Sequence, residues 1–366
     1  MPTPTATEDL TAAAPPQLSL PRLFLRFLRY GVLAWGGPVA QIGMLRQDLV
    51  DEERWVEPAR FNRVLTVYQA LPGPEATELC VYFGMLARGR LGGFLAGLAF
   101  MLPGALFVLA MAWLYVEQGI DGRLAAAFAG AQVAAVALVL RAVHRIGSHS
   151  LHGVLHWIIA AVVAALLLFP FGGSEPARAT DTATHAGEAS ITELARVGLA
   201  AGSLSFGGAY TSIGFVHSAA VERNEWLDDE QFLDSLAISG ALPSPLIVFA
   251  TFVGYVAGGL GGALAMTVAI FLPAFVITLL GHRTLERIVD APRIHRALDL
   301  LTAAVVGLIV ATAVDLLVAA IDTVAAAALL AACLALLLAW RSRGAIVTVV
   351  GASAVLAVVA DAISGA

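Results

Sequence analysis

The sequence predicts an all-α polytopic membrane protein of two inverted-topology repeats, with about 10–12 transmembrane helices and broken helices at the midplane. Three observations carry this fold class. The chain is 59% hydrophobic and only 13% charged, against about 25% charged residues in a soluble domain. Its mean hydropathy is +0.84. Residues 31–74 recur without a gap as residues 202–245, with 14 of 44 positions identical. A repeat of that length in so apolar a chain is the mark of a pseudosymmetric transporter.

The elements follow in order. Residues 1–21 are Pro/Thr/Ala-rich and lack a basic stretch followed by an apolar core, so they read as a disordered cytoplasmic tail rather than a signal peptide. Residues 22–170 form the first repeat, with spans expected at about 23–45, 61–87, 91–116, 124–143 and 151–170. Residues 171–191 are polar and form the linker. Residues 192–366 form the second repeat, with spans at about 192–217, 232–257, 260–281, 297–319, 322–340 and 344–363.

Orientation comes from arginine placement. Arg22, Arg26 and Arg29 precede the first span, which puts the N-terminus in the cytoplasm. Alternation then places Arg88/Arg90, Arg141/Arg145, Arg283/Arg287/Arg293/Arg296 and Arg341/Arg343 on that side as well. One loop breaks the pattern. Residues 46–63 fall outside, yet hold Arg46, Arg54, Arg60 and Arg63 among five acids. An odd number of spans in the first half makes the second copy enter from the opposite face.

The net charge of −6 leaves no nucleic-acid footprint. All 21 basic residues are arginines, which reads either as codon bias or as oxyanion handling. Cys80 and Cys333 imply neither a disulfide nor a metal motif. Expected partners are a small oxyanion and membrane lipid, with a homodimer left open and no cofactor or metal required.

Two motifs carry the chemistry. Gly36-Gly37-Pro38 matches Gly207-Gly208-Ala209, and Leu71-Pro72-Gly73-Pro74 matches Leu242-Pro243-Ser244-Pro245. Glycine and proline break helices, and broken backbone at membrane depth is tolerated only where buried or lining a watery cavity. A half-helix starting after each break offers free N–H groups to an anion. Gln41, Thr77, Ser205, Tyr210, Thr211, Ser212 and Ser244 add neutral donors beside the breaks. Any one of the hydroxyls can instead satisfy its own helix backbone.

Glu75 and Glu78 follow the first proline break and are the proton-coupling candidates. Their counterparts are Leu246 and Phe249, so the halves are unequal in function. Arg46 and His217 occupy equivalent positions and are candidates to attract an anion. Trp55 and Trp226 read as interfacial anchors. His149, His152 and His156 share a helix face, but without an acid or cysteine nearby a metal is not expected.

These motifs, with GGPVAQIG, LPGPEAT and the span ending FMLPG, resemble the chromate ion transporter family over about residues 22–282. The resemblance implies export of chromate, a tetrahedral dianion, with resistance to it, and two homologous halves of opposite orientation. It implies signature roles for Gly36, Gly37, Pro38, Pro72, Gly73, Pro74, Gly207, Gly208, Pro243 and Pro245. Trp35, Gln41 and Ser244 depart from the phenylalanine, histidine and glycine expected there. Sulfate transport is the alternative, since sulfate shares chromate's shape and charge. An anion channel is the alternative from another class. The chain has no P-loop motif, so the driving force expected is the membrane potential or an ion gradient.

Overall fold

The computed structural model describes residues 16, 18–33, 37–69, 71–118, 123–150, 153–168, 189–205, 210–241, 245–288, 292–321, 323–340 and 345–364. In the first copy α1 (Leu20–Val32), α2 (Gly37–Arg46), α3 (Pro58–Gln69), α4 (Glu75–Gln118), α5 (Arg123–Ser150) and α6 (Val154–Leu168) follow one another. In the second, α7 (Ile191–Ser203), α8 (Tyr210–His217), α9 (Asp229–Ala241), α10 (Phe249–Ile288), α11 (Pro292–Ala320) and α12 (Val324–Ala339) repeat that order. The chain ends in α13 (Ala345–Ser364), which packs on α5. The helices long and apolar enough to cross a membrane lie within Glu75–Glu117, Ala125–His144, Leu246–Gly281 and Ala345–Ile363.

Both long helices are bent back on themselves. Gly89 (φ 63°) ends one arm of α4 at residue 88, and Gly259 (φ 58°) does the same for α10. Left-handed backbone of this kind suits glycine. The two arms of each helix then touch through glycines. A methyl on Gly84 would sit 2.4 Å from the Gly92 carbonyl, and one on Gly254 2.5 Å from the Gly262 carbonyl. Small residues allow such close approach where lipid provides no hydrophobic drive between helices.

The structure corrects the reading of 23–45 and 61–87 as straight, broken spans. Phe61 and Phe83 stack with ring centroids 6.3 Å apart. On one straight helix their 22 residues would separate them by about 33 Å. Likewise Phe232 and Phe249 lie 5.8 Å apart, where a straight 17-residue path spans about 25 Å. Arg26 of α1 pairs with Glu53, beyond α2. The paired arms α1 with α2, α3 with α4, and α9 with α10 therefore lie side by side. In the first copy α1–α2 and α3–α4 are re-entrant hairpins. In the second copy α9–α10 is one as well, and α7–α8 holds the position equivalent to α1–α2. The arms run from about 12 to 21 Å, short of a hydrocarbon core of about 30 Å.

Residues 90–118 and α5 are long and apolar enough to cross, while α6 is a shorter apolar helix. Inversion of the second copy does not rest on that count. It is visible directly: Gly93 faces Leu279 while Gly97 faces Phe275, so the long arms of α4 and α10 run antiparallel. The copies match in detail elsewhere. Gly31 of α1 packs on the Phe100 carbonyl and Gly202 of α7 on the Ile270 carbonyl. Arg54 (φ 55°) and Glu225 (φ 50°) are both left-handed, turning Trp55 N–H onto the Leu49 carbonyl and Trp226 N–H onto that of Ala220. Both tryptophans are buried. They are core residues of the loop turns, not the lipid-facing anchors expected.

Candidate functional site

The hairpin tips converge. The N–H of Gly73 donates to the carbonyl of Ser205 at 3.3 Å, joining a tip of the first copy to one of the second. Leu246–Val248, just past the fourth break, touches α4, α8 and α9. The Gly31 contact with Phe100 sets the depth, because Phe100 lies about 15 Å along the long arm of α4. After the breaks, α2 starts at Gly37, α4 at Glu75 and α8 at Tyr210. Their first turns carry the positive ends of the helix dipoles. The preceding arms close their own ends: Leu33 N–H returns to the Arg29 carbonyl and Leu204 N–H to that of Ala200.

Sequence dictates the tip at 71–74. Pro74 cannot donate, and its carbonyl accepts from the N–H groups of Thr77 and Glu78 (2.9 and 3.2 Å), opening α4. Gly73 holds φ 148°. A methyl there would lie 2.9 Å from Ala274 Cβ and 3.1 Å from the Glu78 carboxyl. Pro72 is half-buried and Pro74 buried. Glu78 is fully buried, and neither of its oxygens has a hydrogen-bond partner among the described residues. Thr77 Oγ1 is in the same position. Glu75 is buried next to them.

Gln41, Ser205, Thr211 and Ser212 are buried around the tips, while Tyr210 and Pro38 are half-buried. Ser205 Oγ donates to the Gly202 carbonyl at 2.8 Å, the backbone role that a hydroxyl near a helix end often takes. Pro245 is buried at the start of the fourth tip. Gly36, Gly207, Gly208, Pro243 and Ser244 lie outside the described residues, as does His152.

The two loop faces differ in charge. On the α1 side, Arg26 pairs with Glu53 and lies over the Trp55 ring at 5.1 Å. Burial pushes the Glu53 carboxyl up, but hydrogen bonds from Arg26 and Trp55 outweigh it and hold it below the usual carboxylate range. Arg46 reaches Asp51 at 3.7 Å and is half-exposed, with Arg54, Arg60 and Arg63 exposed around it. On the opposite face a cavity of about 500 Å³ is lined by Tyr115, Asp228, Glu230 and Asp234 among others. Asp234 is buried and accepts from Tyr115 OH (2.9 Å) and Gln132 Nε2 (2.8 Å). His217 is buried against Asp229 on this face.

Asp234, Gln132 and Tyr115 escaped the sequence reading. The one available signal was an aspartate inside an apolar repeat segment, at the position where the first copy has Arg63.

A sequence profile described as "Chromate transporter" matches residues 21–178 and 192–358. A "Chromate transport protein" of Pseudomonas aeruginosa is 47% identical over 389 aligned positions, covering 94% of this chain and 93% of that protein. A "Chromate transport protein" of Cupriavidus metallidurans is 30% identical, covering 84% and 86%. No solved structure matches.

Proposed function

Because the chain belongs to the chromate transporter family, we propose that it is a secondary transporter that exports chromate across the cytoplasmic membrane and confers chromate resistance. The observation that carries this reading is the meeting of tips from both copies, Gly73 to Ser205, with helix N-termini and no fixed cation among the described residues there. A dianion is held by backbone dipoles and neutral donors, with Thr77, Gln41, Thr211 and Ser212 as the side chains nearest to that task. Rocking one copy against the other then alternates access.

Three features support the direction. The hairpins return residues 46–63 to the side of the N-terminus, so Arg46, Arg54, Arg60 and Arg63 join the arginine clusters already placed there, while Arg196 and Arg223 lie on the other face. With that side cytoplasmic, Arg46 and its neighbours gather oxyanions at the inner mouth, while Asp228, Glu230 and Asp234 repel them at the outer one. An inside-negative potential also drives a dianion outward, at about 2.3 kcal/mol per charge per 100 mV. Radiolabelled chromate and sulfate flux in proteoliposomes, with pH and potential controlled, tests all of this. Saturable, potential-driven chromate flux is expected. Sulfate preference points to the sulfate reading, and non-saturable conductance to a channel.

Glu78 is the proposed coupling residue. An ionised carboxylate without a partner in such surroundings is costly, so this group exchanges a proton as the tips rearrange. Glu78→Gln is expected to flatten the pH dependence of flux while chromate still binds. An unchanged pH profile removes Glu78 from the mechanism.

A further inference from the structure

We propose that His217, Glu222 and Asp315 form a binding site for a divalent transition-metal ion, with Zn²⁺ the best match. The site ties the loop-side end of α8 to α11 on the face opposite the N-terminus.

His217 is 1% exposed, and its ring packs edge-on against Phe232 at 5.0 Å. Its Nε2 lies 2.7 Å from Asp229 Oδ1. Asp229 accepts the Nε2 proton, and Nδ1, which faces Glu222, becomes the ligand atom when a metal ion displaces its proton. That nitrogen is buried and has no hydrogen-bond partner among the described residues. Glu222 Oε1 stands 3.6 Å from it, too far for a hydrogen bond. Two ligands held at about 2.1 Å by a tetrahedral ion stand about 3.4 Å apart. One ligand atom from each of His217, Glu222 and Asp315 lies within 4.8 Å of the others.

A carboxylate holding the far nitrogen of a metal-binding imidazole is the usual second support of such a site. Two carboxylates and a neutral imidazole match a doubly charged ion, and the half-exposed Glu222 leaves room for a water. Imidazole with carboxylates suits Zn²⁺ among first-row ions.

The first copy supplies the contrast. At the positions of His217 and Glu222 it has Arg46 and Asp51, paired at 3.7 Å. There the protein provides its own permanent cation. The second copy keeps the acid, adds Asp229 and Asp315, and replaces the guanidinium with an imidazole whose proton a metal ion can displace.

The test uses full-length, tag-free protein in detergent, carrying His149→Ala, His152→Ala and His156→Ala to remove the other histidine group. This parent is titrated with Zn²⁺ by calorimetry and with Co²⁺ by visible absorption. We expect one ion per chain and a Co²⁺ spectrum of nitrogen and oxygen ligation. Binding is lost in Glu222→Gln and Asp315→Asn, and Asp229→Asn weakens it by about 10–100-fold. Zn²⁺ raises the melting temperature of the parent but not of those two variants, each checked for a folded, monodisperse state. Absence of saturable binding to the parent overturns the proposal, since a proton on His217 then closes the cluster. So does binding that persists in the Glu222→Gln/Asp315→Asn double variant. Where a variant misfolds, the parent's own Co²⁺ spectrum still decides: a spectrum without nitrogen ligation overturns the site.

Discussion

Gly73→Ala is expected to remove chromate flux while leaving the protein in the membrane. The φ of 148° lies where side chains are strained, at a cost of about 1–3 kcal/mol, which alone shifts a two-state population by about 5–150-fold. The new methyl also meets Ala274 and the Glu78 carboxyl. Relief of that overlap moves the tip away from Ser205, and with it the junction between the copies. The readout is flux in proteoliposomes beside membrane expression and thermal melting. Full flux with alanine at 73 sinks the tip as the substrate site. Loss of expression as well as flux assigns Gly73 to folding instead.

Gly202→Val is expected to cost the most in stability. Its Cβ would fall 2.2 Å from the Ile270 carbonyl oxygen, a backbone atom that no rotamer change can move. Overpacking typically costs about 1–3 kcal/mol, and contact with backbone puts this case at or above that range. α7 would be forced off the long arm of α10. Gly31, 2.4 Å from the Phe100 carbonyl by the same measure, should respond in kind. Thermal melting of Gly31→Ala, Gly202→Ala and their combination checks this, with near-additive losses expected for sites in different copies. Wild-type melting of Gly202→Val would show that the α7–α10 contact contributes little.

Much of the architecture was legible from pattern alone. The repeat at 31–74 and 202–245, the apolar segments and the Gly and Pro breaks are local properties, and local sterics act on them wherever the chain goes. The odd number of spans in the first half, and hence the inversion, was also legible, because removing both broken segments of that copy changes the count by two.

The direction taken after each break was not legible. A proline or glycine break stops a helix but does not say whether the chain continues or turns back. That choice belongs to contacts such as Phe61 with Phe83, Phe232 with Phe249 and Arg26 with Glu53, which join residues far apart in sequence. The loop at 46–63 carried a hint, since its arginines belonged on the side to which the hairpins return it.

Fold class, family, breaks and the candidate residues around them could be read from the residues alone, because apolar length, helix breaking and internal repetition are written in their order. Packing in three dimensions settled that the broken segments pair as hairpins, that Gly73 meets Ser205, that Glu78 is buried with no hydrogen-bond partner among the described residues, and that His217 faces Glu222 and Asp315. Those are distances between elements, and they are set by which surfaces pack closely enough for glycine to be the only residue that fits.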